Sequence, residues 1–241
     1  MTLNSRVRDF ARSNPVAYKA WFIYYRYRKA SSPILPASGD SLYLDGYPRS
    51  GNTYFTAAIQ QIYSGLRFSN HLHVTAPIKI AINKKVPTFL LMREPENAIA
   101  SFFLHVRDPR STSSKNKLNA KRLCECLATE WFNYYSFVEK QKRRIHVVSA
   151  DDAFNEPLQA VKRIVELSRL PPFPDLDKRF DEFHDRFKKH DAGKAQGSTS
   201  FPDPSREKQK REVLRLLRSF RLLARCRELH AALVSESILN A

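Results

Sequence analysis

The chain has 241 residues, 42% hydrophobic and 12% aromatic, which is enough for a full core and too rich in large apolar side chains for a disordered protein. Forty-one lysines and arginines against 24 acidic residues give a formal charge of +17, a field that draws a multiply charged nucleotide, an acidic polymer, an anionic membrane or nucleic acid. Six glycines and fourteen prolines exclude a low-complexity chain, and Cys124, Cys126 and Cys226 form neither a paired metal spacing nor a dense disulfide framework, as expected of reduced residues on helices of a cytoplasmic protein.

Residues 1–30 read as one or two helices. The basic start is not followed by an apolar run adequate for a signal sequence. The longest candidate, Ala20–Tyr25, is far short of the roughly 20 residues that span a bilayer, so the expectation is a soluble or membrane-peripheral protein. Residues 17–29 mix aromatic side chains with Lys19, Arg26, Arg28 and Lys29. Such a helix can pack on the domain or lie on an anionic membrane surface. Ser31–Gly39, rich in proline and serine, reads as a linker and divides the chain into an N-terminal segment, 1–38, and an α/β domain, 39–241.

Ser41–Asp45 is a short strand-like run, followed by a Gly/Pro turn and a helical stretch, Thr53–Ser64. After a helix over Thr75–Lys84, Pro87–Met92 is a second buried strand with a helical pattern behind it. Asn119–Arg144 is a long helical segment carrying Trp131, Phe132, Tyr134, Tyr135 and Phe137. Ile145–Ser149 is a third strand, followed by a helical pattern from about Glu156 to Leu170. Ser205–Leu239 is a basic amphipathic helix or helix pair. Strands alternating with helices of this length predict an α/β fold with a parallel sheet flanked by helices. There is no internal repeat, and the pattern leaves the strand order open.

The turn after the first strand, Gly46-Tyr-Pro-Arg-Ser-Gly51-Asn-Thr53, has the G-x-x-x-x-G spacing of a P-loop and ends on a hydroxyl residue. Such a loop points backbone N–H groups at a phosphate, and the helix behind it adds a favourable dipole. The position that a P-loop NTPase gives to lysine is Asn52, and the basic residue comes earlier, at Arg49. That arrangement suits a different anion with less need of a metal. From spacing alone, the same glycines also serve an ordinary strand–helix turn.

Tyr47–Tyr54 (YPRSGNTY) resembles the 5′-phosphosulfate-binding loop of the PAPS-dependent sulfotransferases, commonly YPKSGTTW in cytosolic members. Tyrosylprotein and many bacterial members are similar in having Pro-Arg-Ser-Gly. The resemblance implies a P-loop NTPase-like sulfotransferase fold of bacterial type. It implies Arg49 at the bridging region of the phosphosulfate, with Ser50, Gly51, Asn52 and Thr53 around the 5′-phosphate and Tyr54 closing the motif. Asn52 and Tyr54 depart from the common Thr and Trp. A cation at Arg49 would neutralise charge that builds on the leaving phosphate.

The second strand ends in Arg93-Glu94-Pro95, and Ser101 follows eight positions after Arg93. LLMREPENAIASFFLH resembles the 3′-phosphate motif of the same family, so Arg93 and Ser101 are the residues implied to hold the phosphate that distinguishes PAPS from ATP. Taken by itself, Arg93 has an alternative in a salt bridge to Glu94, Glu96 or Asp108. Sulfuryl transfer to a hydroxyl or amine needs a general base, and histidine suits neutral pH. His71 and His73 lie between the two motifs. The place of His71, 22 positions before Arg93, is that of the cytosolic enzymes' histidine, and His73 competes with it. The family tyrosine near adenine falls on Ala150, so Phe154 or the C-terminal loop must serve. The family's late basic loop has a loose counterpart around Lys194, between Gly193 and Gly197. Arg107–Lys117, Trp131, Tyr134 and Tyr135 are candidates for the acceptor side, with a mobile loop and core packing as their alternatives. No metal is expected.

Two other classes share these residues. An ATP-dependent kinase would keep the loop, but the loop lysine and an aspartate at the end of the second strand are missing. A basic nucleotide- or membrane-binding module without chemistry would account for the charge. A nucleic-acid partner is not expected, because no helix-turn-helix, zinc or RNA-binding signature accompanies the basic residues. The same charge points to an acidic acceptor.

Overall fold

The computed structural model describes residues 10–28, 35–70, 72–108, 114–192 and 206–240. Four strands form one sheet: β1 (Tyr43–Gly46), β2 (Ser69–Asn70), β3 (Thr88–Met92) and β4 (His146–Ser149). Their order is β2-β1-β3-β4 and every pairing is parallel. All residues of β1 and β3 are buried, which is why these runs do not alternate in polarity, Asp45 being the one charge within them.

Side chains along each strand point to opposite faces and so build two separate cores. Tyr43, Leu90, Met92 and Val147 join one cluster. It is covered by α1 (Pro15–Arg28), α3 (Thr75–Asn83), α4 (Pro95–Arg107), α5 (Ala120–Lys140) and the C-terminal pair α9 (Glu207–Arg218) and α10 (Arg221–Val234). Leu42, Leu44, Phe89, Leu91 and Val148 join the other. That face carries α2 (Asn52–Ile62), the short α6 (Ala150–Asn155), α7 (Pro157–Leu167) and α8 (Leu176–Ala192). Each fully buried Leu or Phe of this kind contributes about 1.5–3 kcal/mol, so strand register is strongly enforced from both sides.

The expected α/β architecture is present, with the first strand shifted two residues and the long helix ending at Lys140 before a 3₁₀ turn, Lys142–Arg144. The helical pattern expected over 156–170 is α7, and a separate short helix, α6, precedes it. Pro157 stands at the first turn of α7, where its missing N–H costs nothing, and α6 has already ended at Asn155. Helix α8 has no expected counterpart: it is mostly polar, and Phe180 and Phe183 supply its buried stripe. The tail covers the β4 edge, with Ile238 N donating to Val147 O (3.0 Å) and Ser149 N to Ser237 Oγ (3.0 Å). Tyr18 and Phe22 of α1 are buried in the first core while Trp21 is 48% exposed. Among the described residues no helix is long and apolar enough to cross a membrane. The three cysteines are free and lie on helices.

Candidate active site

The turn between β1 and α2 is held by contacts from three directions. Asn52 is buried at the start of α2, and its Nδ2 donates back to Tyr47 O (3.2 Å) and Gly46 O (3.4 Å). Tyr47 N donates to the Tyr135 hydroxyl (3.2 Å), which itself donates to Leu91 O (2.7 Å). Ser50 N donates to Tyr47 O (3.2 Å) and the Ser50 side chain is fully buried beside Tyr135. Asn52 therefore braces the loop with its side chain.

The two glycines are required for different reasons. A Cβ on Gly46 would lie 2.3 Å from Leu91 O, so this glycine serves the close approach of β1 to β3 rather than an anion. Gly51 has φ 90°, and a Cβ there would meet the Phe154 ring at 2.8 Å. It caps α2 without any side-chain hydrogen bond, and the first N–H groups of a helix have no intrahelical partner. Arg49 adopts φ 72°, in the left-handed region that a side chain enters at a cost of about 1–2 kcal/mol. Arg93 Nη1 donates to its carbonyl oxygen at 3.3 Å and helps to hold it there.

Arg49, Arg93 and Ser101 come together. Arg49 Nε donates to Ser101 Oγ at 3.2 Å, although 52 positions separate them. All three stand at the carboxyl end of the sheet, where parallel α/β folds bind ligands. The ion pairs considered for Arg93 do not form. Its Nε lies 3.7 Å from Asp151 Oδ1, at the start of α6, and is buried without a hydrogen-bond partner. Glu96 pairs instead with Arg227 Nε (2.6 Å). His105, one turn beyond Ser101, is held below its ordinary pKa by burial and by the Arg49 charge.

The sequence pattern gives no role to Asp45, the last polar residue of β1, yet it anchors the next segment. Its carboxylate is completely buried. Oδ2 accepts from the Tyr43 hydroxyl (2.7 Å), Leu72 N (3.0 Å) and His73 N (2.8 Å), and Oδ1 accepts from Gly46 N (2.9 Å). His73 Nδ1 is 2.9 Å from Oδ1 and 2.7 Å from Gly46 O. Burial opposes ionisation of both partners, but their attraction and hydrogen bonds outweigh it: Asp45 is held below its ordinary pKa and His73 above. The only signal in the sequence was a charge inside an apolar strand.

The other expected site residues divide. Thr53 is exposed at the first turn of α2. The Tyr54 side chain turns from the loop into an aromatic cluster with Phe55, Phe154, Phe183 and Phe187, and its hydroxyl bonds His184 Nδ1. Phe154, the candidate substitute for the tyrosine missing at Ala150, has its ring against Gly51. Trp131, Tyr134 and Tyr135 are core residues, 0–5% exposed. His71 and Lys194 lie outside the described residues, as do residues 109–113 of the basic loop and the end of the 17–29 segment, while the rest of that loop forms a 3₁₀ turn, Ser114–Lys117, whose Asn116 carbonyl accepts from Arg107 Nη1 (2.7 Å). Among the described residues there is no group of three or more His, Cys, Asp or Glu placed to hold a metal ion.

No protein-family model matches the sequence, and no curated protein matches it. Among solved structures, the chain is similar to a mouse sulfotransferase, SULT7A1, complexed with PAP. The match covers 80% of this chain and 90% of that one, with a TM-score of 0.52 and 12% sequence identity. At that identity the likeness is one of fold: a parallel α/β sheet flanked by helices.

Proposed function

We propose that the chain is a sulfotransferase that moves a sulfuryl group from PAPS to a hydroxyl or amine acceptor, leaving PAP. The observation that carries this reading is the convergence of Arg49, Ser101 and Arg93 at the mouth of a glycine-capped helix N-terminus. Arg93 donates to the Arg49 backbone carbonyl and Arg49 to Ser101, which brings two cationic residues to one end of the sheet, and the buried Arg93 Nε without a hydrogen bond suits a phosphate oxygen. The fold shared with a PAP-bound sulfotransferase agrees with it.

In this reading, Arg93 and Ser101 hold the 3′-phosphate, and the backbone from Ser50 to Thr53 receives the 5′-phosphate. Phe154, packed beside the loop at Gly51, is the candidate for stacking on the base. When bound, PAPS supplies an activated sulfuryl group on a good leaving phosphate. The bond that forms joins the acceptor atom to sulfur, and the bond that breaks joins sulfur to the bridging oxygen, whose electron pair stays on the phosphate. Arg49 offsets that charge, and a histidine of the 71–73 segment receives the acceptor proton. The +17 charge suits an acidic acceptor, and the basic and aromatic residues of 17–29 suit contact with an anionic membrane surface on the cytoplasmic side.

The test is calorimetric titration with PAP, ADP and ATP in EDTA, on the wild type and on Arg93→Ala. Charge-assisted hydrogen bonds of about 1.5–3 kcal/mol should make PAP bind roughly 10- to 100-fold more tightly than ADP, and the variant should lose that preference. Equal binding of PAP and ADP to the wild type would sink the proposal.

A further inference from the structure

We infer that Asp45 is the positioning residue for the acceptor base: from the buried end of β1 it holds His73 with its proton on Nδ1, which leaves Nε2 to take the acceptor proton. The role in transfer rests on the sulfotransferase reading, whereas the geometry does not.

The tautomer follows from the neighbours of Nδ1. One is the Asp45 carboxylate at 2.9 Å and the other is the Gly46 carbonyl at 2.7 Å. Both accept hydrogen bonds and neither can donate one, so Nδ1 carries a hydrogen in the neutral ring as well as in the charged one. The lone pair of neutral His73 is then on Nε2.

Asp45 can sustain this arrangement because its charge is satisfied independently of the histidine. Three backbone N–H groups and the Tyr43 hydroxyl donate to it. A fully buried carboxylate without such donors would be protonated instead. The same carboxylate oxygen that accepts from His73 N also stabilises the left-handed backbone of that residue, φ 51°. One buried group thus sets both the backbone and the ring of His73, while the side chain stays 26% exposed.

The groups that face the pair come from several elements. Asp45 and Tyr43 stand on β1, Tyr18 on α1 and Tyr134 and Tyr135 on α5, with Arg12 preceding α1. Burial raises all four phenols, Tyr18 to about 12, so they are neutral at physiological pH. Burial and the Arg12 charge favour the neutral imidazole, and Asp45 favours the charged one and prevails. The neutral, proton-accepting form therefore appears only as the pH rises through a value above that of an ordinary histidine.

The test is nitrogen-15 NMR of the full-length protein with labelled histidine, the His73 signal being assigned by its loss in His73→Gln. In the wild type, His73 should titrate above the roughly 6.5 of a free side chain and show the Nδ1–H tautomer at high pH. In Asp45→Asn, the amide presents an N–H towards Nδ1, so the midpoint should fall and the Nε2–H tautomer should grow. Sulfuryl transfer should then fall roughly 10²- to 10⁴-fold, with PAP affinity retained, because a base in the wrong tautomer cannot accept the proton. A wild-type His73 with the Nε2–H tautomer, or titrating at or below the ordinary value, overturns the inference whether or not the variant folds. Failure to bind PAP with the predicted titration intact would strike the donor reading and leave the Asp45–His73 pair standing.

Discussion

Where Arg49, Arg93 and Ser101 meet, the contacts described are long: 3.2 Å to the serine, 3.3 Å to a carbonyl and 3.7 Å to a half-exposed aspartate. Around Asp45, close by at the end of β1, they are short and complete, between 2.7 and 3.0 Å, with the carboxylate wholly buried. The contrast follows from what each group must do. In the proposed reading the arginines receive an anion, and long contacts are ones that an arriving phosphate can replace. A base must already point the right way when its substrate arrives, so its orientation is fixed by the fold.

Substitutions can break that contrast, and those beyond Asp45 should act in order of how directly they touch the transferred charge. Arg49→Ala removes the cation at the leaving phosphate and should slow PAP formation from PAPS by about 10²- to 10³-fold, with a smaller change in PAP affinity. A loss confined to affinity would instead make Arg49 a binding residue only. Ser101→Ala deletes one hydrogen-bond partner of Arg49, worth about 1 kcal/mol. PAP binding by calorimetry should weaken roughly five-fold, and no change would remove Ser101 from the site. The smallest effect belongs to Asp151, whose carboxylate occupies Arg93 at 3.7 Å with 46% of its side chain exposed. Exposed pairs are worth about 0.2–1 kcal/mol, so Asp151→Asn should tighten PAP binding some two- to five-fold. Weaker binding in that variant would show that Asp151 orients Arg93 for the phosphate rather than competing with it.

The same contrast has a signature in pH. The folded protein raises the pKa of His73, so the stability of the Asp45–His73 pair is fully present below the ordinary histidine value and is lost as the pH rises through the higher, folded one. Urea unfolding of wild type and His73→Gln across that window should converge towards high pH. Parallel curves would mean that the pair is not ionised in the folded state.

What could be read from the sequence were features carried by neighbouring residues. The buried runs around Leu44, Leu90 and Val147 announced strands, and the helical patterns between them announced a parallel sheet. The turn from Gly46 to Thr53 and the spacing of Arg93 and Ser101 marked two motifs, because loop geometry and helix pitch are local. Their meeting was not local. Arg49 reaches Ser101 only because β1 and β3 are adjacent, and Asp45 holds His73 only because the segment after β2 returns alongside β1. Gly46 gave the appearance of an anion-binding glycine, but its role is set by the Leu91 carbonyl of the neighbouring strand. Residue patterns recorded which faces are apolar and where the chain turns. Strand order decided which polar groups share a buried neighbourhood, because pairing energies between strands depend on contacts across the sheet that no periodicity along one chain encodes.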